Sequence, residues 1–126
     1  MNKKILLIED EPTLQKTIGE VLKKENYEVL SALDGKTGLD LIQKEKPDLI
    51  LLDLILPKMN GFEVLEELKS KEETKNIPVI ILTNLERNED INRALELGAT
   101  TYLVKANYDL KDIVKKVDQV FNQNTI

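Results

Sequence analysis

Glu9 and Asp10 stand together directly after the apolar run Ile5-Leu6-Leu7-Ile8, and Asp53 stands directly after Leu49-Ile50-Leu51-Leu52. Thr83 closes the run Val79-Ile80-Ile81-Leu82, and Lys105 closes Tyr102-Leu103-Val104. Three carboxylates, a hydroxyl and an amine are groups that can hold a hard divalent cation and a phosphoryl group. A carboxylate oxygen can attack phosphorus and form an acyl phosphate. The hydroxyl would then donate to one phosphoryl oxygen, the ammonium would offset charge on a second, and the cation would take a third. Acids gathered at the rim of an apolar core oppose one another's ionisation, so a cation that neutralises them is expected. Oxygen ligands select Mg²⁺ or Mn²⁺, and no EF-hand-like loop with its glycine is present to favour Ca²⁺. Taken singly, each residue has an ordinary explanation: a helix-start acid pair, a strand threonine, a surface lysine. Their shared position at the ends of apolar runs sets them apart.

That position matters only if the runs lie side by side. Short apolar runs separated by helix-like segments read as parallel strands buried on both faces. Ligand sites in open α/β sheets form where the carboxyl ends of such strands meet. Strands are expected at 3–8, 27–32, 48–52, 78–82 and 102–104, with Pro78 at the start of the fourth, where a missing amide donor costs least. The second is the most mixed in polarity and belongs at a sheet edge. Pro12 opens a first helix with Leu14, Ile18, Val21 and Leu22 on its apolar face. After the Asp34-Gly35 turn signal, a second helix covers about 36–45, with Leu41 and Ile42 inward. Asn60 caps a third over 61–71 that buries Phe62, Leu65 and Leu68. A fourth covers roughly 87–97, burying Ile91, Ala94 and Leu95, and stops at Gly98. Leu110, Ile113, Val114, Val117 and Phe121 line the last. The expectation is one α/β domain over 1–121, a five-stranded parallel doubly wound sheet with five helices, followed by a short tail at 122–126.

Composition narrows the chemistry. The chain has neither Cys nor His, which removes thiolate chemistry, zinc sites of the usual kind and an internal phosphohistidine. A net charge of -5 opposes direct nucleic-acid binding, which needs a clustered positive surface. No stretch suits a membrane span or a signal peptide, so a cytoplasmic location is expected. There is no Gly-x-x-x-x-Gly-Lys loop and no Gly-x-Gly-x-x-Gly. Glu9-Asp10-Glu11 would repel a flavin phosphate, and Leu54-Ile55 after Asp53 does not supply the Asp-x-Asp of haloacid-dehalogenase phosphatases.

Three segments carry a family likeness: Ile5-Leu6-Leu7-Ile8-Glu9-Asp10-Glu11-Pro12, Leu52-Asp53-Leu54-Ile55-Leu56-Pro57-Lys58-Met59-Asn60-Gly61, and Gly98-Ala99-Thr100-Thr101-Tyr102-Leu103-Val104-Lys105. In this order, with Thr83 between the last two, the whole chain resembles a receiver domain of bacterial two-component response regulators, single-domain and similar to chemotaxis receivers. The resemblance implies a flavodoxin-like strand order 2-1-3-4-5. It implies that Asp53 accepts a phosphoryl group from a sensor histidine kinase, a phosphotransfer protein or a small phosphodonor. Asp10 would bind Mg²⁺ directly and Glu9 directly or through water, beside Asp53 and the backbone carbonyl of Ile55. Thr83 and Lys105 would hold the phosphoryl oxygens. Tyr102 would be the aromatic switch, turning inward as Thr83 moves toward the phosphate. The face made by the fourth helix, fifth strand and fifth helix would meet a downstream protein. A monomer, at most a weak dimer, is expected.

The chain also departs from the family pattern. Ala106 replaces the usual Pro after the lysine; a cis bond there would cost roughly 3 kcal/mol, so that peptide is either trans or strained. Asn84 stands where a small residue is usual and is expected to narrow access to Asp53. Thr100-Thr101 replace an Asp-Asp pair, which argues against the charge-paired dimer of DNA-binding members. Neither Ile55 nor Leu85 can orient an attacking water, so slow autodephosphorylation is expected. Two other readings compete. A metal-dependent phosphohydrolase would need a general acid beyond those already assigned. A degenerate receiver acting only as an interaction surface sits poorly with the full set of acids, Thr83 and Lys105.

Overall fold

The computed structural model describes residues 2–84, 87–105 and 109–123. Strands β1 (Lys4–Ile8), β2 (Glu28–Ala32), β3 (Leu49–Leu52), β4 (Val79–Thr83) and β5 (Thr101–Val104) alternate with helices α1 (Pro12–Lys24), α2 (Gly35–Glu45), α3 (Gly61–Lys69), α4 (Asn88–Glu96) and α5 (Leu110–Gln123). All strand pairs are parallel and their order is β2-β1-β3-β4-β5. The doubly wound, flavodoxin-like arrangement is therefore present, with β2 at one edge and β5 at the other.

Period-two alternation divides the core. Ile5 and Leu7 of β1 join Ile18 and Leu22 of α1 and Ile113, Val117 and Val120 of α5 on one face of the sheet. Leu6 and Ile8 join Ile42 of α2, Val64, Leu65 and Leu68 of α3, and Ala94 of α4 on the other. Every residue of β3 and β4 is buried. Sheets covered by helices on both sides produce such unbroken apolar strands.

The ends of the elements follow local chemistry. Pro12 occupies the first turn of α1, Asp34 accepts from the Thr37 amide at the start of α2, and Asn60 accepts from the Glu63 amide at the start of α3. Gly98, one residue beyond the Leu97 cap that ends α4, adopts φ +112°, a conformation that strains any residue with a Cβ.

Three sequence expectations need correction. Leu95 is exposed, because Ala94 beside it and Leu97, just past the helix, are the residues that pack on the core instead. Helix α3 ends at Lys69, two residues early, where Ser70 turns its hydroxyl to the Glu67 carbonyl. Helix α5 continues to Gln123, so the segment expected as a tail begins helical.

Candidate functional site

Strand register explains the convergence. Ile8 of β1 faces Leu52 of β3, so the next residues, Glu9 and Asp53, lie side by side at the sheet edge. The Asp53 amide donates to the Ile8 carbonyl at 3.1 Å and locks the two strand ends together. Thr83 of β4 faces Val104 of β5, which brings Lys105 one step beyond. One carboxylate oxygen from each of Glu9, Asp10 and Asp53 lies within 4.8 Å of the others.

Within this cluster Glu9 and Asp53 are buried and Asp10 is exposed. The Lys105 ammonium lies 2.8 Å from Asp53 Oδ2 and is also ion-paired with Glu9 Oε1. That Glu9 oxygen receives no hydrogen bond of acceptable geometry, so the ion pair is what offsets its burial. The other oxygen, Oε2, accepts from the Glu11 amide at 3.0 Å, and Asp53 Oδ1 accepts from the Ile55 amide at 3.2 Å. Burial pushes the Glu9 carboxyl above the usual range, against the opposing pull of Lys105. Burial also acts to lower the Lys105 ammonium, but Asp53 and Glu9 together outweigh it and hold the group above its ordinary value.

Glu9, Asp10, Glu11, Asp53, Ile55, Asn84 and Lys105 line a cavity of about 180 Å³. Four of the predicted site side chains thus meet, with Ile55 and Asn84 at the rim. Thr83 is wholly buried at the end of β4 and does not line this opening. Tyr102 stands outside it on β5, 40% exposed. Leu85 and Ala106, with the Lys105-Ala106 peptide bond, lie outside the described residues. A larger groove of about 600 Å³ between α1 and α5 is lined by Val21, Leu110 and Val114 together with lysines and the acids Glu25 and Asp118, and none of the predicted site residues reaches it.

The donor set suits a hard cation. Three carboxylate oxygens gathered within 4.8 Å of one another, two of the three acids buried, are the ligand type that Mg²⁺ or Mn²⁺ takes. Exposed Asp10 leaves a side open for water, which Mg²⁺ retains.

Sequence reasoning missed Gln15. Its amide donates to the Glu9 carbonyl at 3.2 Å and the Ala32 carbonyl at 2.8 Å, tying α1 to the ends of β1 and β2. A polar residue on the first turn of an apolar-faced helix is the only mark it leaves in the sequence.

Comparison with known proteins agrees with this geometry. The family model described as the response regulator receiver domain matches residues 5–118. Sporulation initiation phosphotransferase F of Bacillus subtilis is 40% identical over 119 residues, covering 92% of this chain and 94% of that protein. The receiver domain of Francisella response regulator 1452 superimposes with a TM-score of 0.89 at 27% identity, covering 98% of this chain and 100% of that one. The Mn²⁺-bound form of response regulator Rcp1 superimposes with a TM-score of 0.80 at 37% identity, covering 98% and 96%. Two longer transcriptional regulators, 33% and 38% identical, are matched over only 53% and 47% of their own length.

Proposed function

The chain belongs to the response regulator receiver family, a phosphorylation-controlled class of signalling domain, and we propose that Asp53 is its phosphoacceptor. The observation that carries this reading is the placement of Asp53 against both Lys105 and the acids Glu9 and Asp10. In the reaction an Asp53 oxygen forms a bond to phosphorus while the bond from phosphorus to the donor breaks, and the donor leaves with that electron pair. The Ile55 amide on Oδ1 and the Lys105 ammonium at Oδ2 orient the carboxylate for this attack.

Glu9, Asp10, Asp53 and the Ile55 carbonyl would hold Mg²⁺, or Mn²⁺ as in the Rcp1 structure. The ion supplies charge neutralisation at the phosphoryl oxygens. Lys105, already the counter-charge of Asp53, then serves the phosphoryl oxygen that replaces it, and Thr83 supplies a hydroxyl to another. Chain 1–121 acts as one receiver, charged by a sensor histidine kinase or phosphotransfer protein. It turns over no external substrate. Tyr102 turns inward as Thr83 moves, and the α4-β5-α5 face meets a cytoplasmic protein partner. Among the described residues no helix is long and apolar enough to cross a membrane.

Incubation with acetyl phosphate and Mg²⁺, followed by intact mass, tests the central point. The native chain gains one phosphoryl group and Asp53→Ala gains none. A gain that survives Asp53→Ala moves the acceptor elsewhere.

A further inference from the structure

The loop over 54–60 carries Ile55 to the rim of the acidic pocket, and its far end rests on the first turn of α2. The contact is very close. A Cβ on Gly35 would fall 1.8 Å from the Met59 carbonyl oxygen and 2.7 Å from its carbon. Both are backbone atoms, so no side-chain rotation relieves the clash. The Gly35 amide, an orphan donor at the helix start, points to the Pro57 carbonyl at 3.4 Å. Next to it Lys58 Nζ stands 3.9 Å from Asp34 Oδ2, the carboxylate oxygen not used to cap the Thr37 amide.

The loop pressed against this helix end is tightly bent. Lys58 adopts φ 67°, in the left-handed region, and the Met59 amide donates to the Pro57 carbonyl at 2.7 Å. Such a conformation is strained for a residue with a side chain and persists only where surroundings impose it. At its other end the loop is pinned by the Gly61 amide, which donates to the Leu54 carbonyl at 2.9 Å, and by the Ile55 amide on Asp53. Helix α2 is seated directly on β1, with Ile8 filling the space where Gly38 lacks a side chain. Of the two partners, the irregular loop is the one that yields.

From this we infer that Gly35 is a positioning residue for the cation site: by having no side chain it lets α2 brace the loop and hold Ile55 at the pocket. The inference rests on the reading of that pocket as a Mg²⁺ or Mn²⁺ site. An ordinary carbon–oxygen contact is about 3.3 Å, so a Cβ at position 35 displaces the Met59 carbonyl by about 1.5 Å. Metal–ligand distances tolerate only about 0.2 Å. Loss of an outer support of this kind weakens metal binding by about ten- to a hundred-fold.

The test is a Mn²⁺ titration of the full chain, with free Mn²⁺ counted by electron paramagnetic resonance, alongside the metal-free Tm. Gly35→Ala is expected to weaken Mn²⁺ binding at least ten-fold. Val120→Ala, which empties a core position on the opposite face of the sheet, is expected to lower Tm while leaving Mn²⁺ affinity within two-fold of native. Should Gly35→Ala not fold, Pro57→Gly loosens the same loop without a clash and is expected to weaken Mn²⁺ several-fold. Native affinity in Gly35→Ala, or in Pro57→Gly where that variant decides, overturns the inference while leaving the cation site intact. A native chain that binds no Mn²⁺ overturns the cation site itself.

Discussion

Strands β3 and β5 run to the same edge of one sheet, yet they are held very differently. All four residues of β3 are buried, whereas none of β5 is fully buried. Asp53 is therefore carried on backbone that cannot shift without disturbing close-packed side chains on both faces. Lys105 and Tyr102 are carried on an edge strand whose movement disturbs far less. A receiver needs both conditions: a fixed place for chemistry, and beside it an element whose equilibrium a new charge can bias. Lys105 joins the two regions, since its backbone extends β5 while its ammonium rests on Asp53 and Glu9.

The sharpest way to break this contrast is to cut the same volume from both strands. Leu51→Ala removes a wholly buried side chain from β3 and is expected to cost about 3–4 kcal/mol. Leu103→Ala on β5 removes one that is only partly buried and is expected to cost about 1 kcal/mol. Urea unfolding of both variants measures the difference. Equal losses would mean that β5 is as firmly held as the centre.

Lys105→Ala comes next in size. It leaves the buried Glu9 and Asp53 carboxylates without the ammonium that now lies between them. Breaking a buried ion pair from one side costs about 3 kcal/mol. Under the proposed function, millimolar Mg²⁺ recovers much of that loss, because the cation takes over the missing positive charge. Unfolding with and without Mg²⁺ checks it, and a variant indifferent to Mg²⁺ would deny the acids their role as cation ligands.

The contrast between the two regions also marks what could be read from the chain. Glu9, Asp10, Asp53 and Lys105 were legible because each follows an apolar run, and parallel strands in register bring such run ends together. The helix starts at Pro12 and Asn60 and the stop at Gly98 were legible because the residues themselves satisfy or free the backbone there. The strand order came with the family likeness, since hydrophobic pattern alone does not rank parallel neighbours. Leu95 was misread because apolar spacing does not decide which flank of the stripe is buried, and here Ala94 and Leu97 take that place. Gln15 on the strand ends and Gly35 under Met59 were invisible because each contact joins segments that only the tertiary fold brings together.

A smaller effect should appear at alkaline pH, on the side of the molecule that yields. Lys69 of α3 donates to the Lys75 and Ile77 carbonyls at 2.9 and 3.0 Å, and its stem lies where Gly98 has no side chain. Burial lowers its pKa below the ordinary 10.5. Between the lowered folded value and 10.5 the unfolded chain binds more protons than the folded one, so this group makes stability rise with pH across that window. Tyr27 acts in the opposite sense, because burial and then Asp118 raise its pKa and make its contribution fall with pH from the ordinary phenol value upward. The difference between native and Lys69→Met isolates the lysine. Its unfolding free energy is expected to climb with pH relative to the variant, by under about 1 kcal/mol. A flat difference would mean that the ammonium is as well solvated in the fold as in the unfolded chain.

Tyr102→Ala should change the resting protein least of all, and that is what makes it informative. The ring is 40% exposed, and its strand partner at that point is Ile81 of β4. Truncation is expected to cost no more than about 0.5 kcal/mol and to leave the extent of phosphorylation by acetyl phosphate unchanged. A switch residue acts through the difference between two states, so its loss belongs in that difference. Amide exchange across α4 and β5, measured before and after phosphorylation, is expected to change clearly in the native chain and by less than half as much in Tyr102→Ala. If the variant responds in full, the ring is an ordinary edge-strand side chain and the adjustable region signals through other groups. If instead the variant loses several kcal/mol at rest, β5 is not the loosely held strand that its exposure implies.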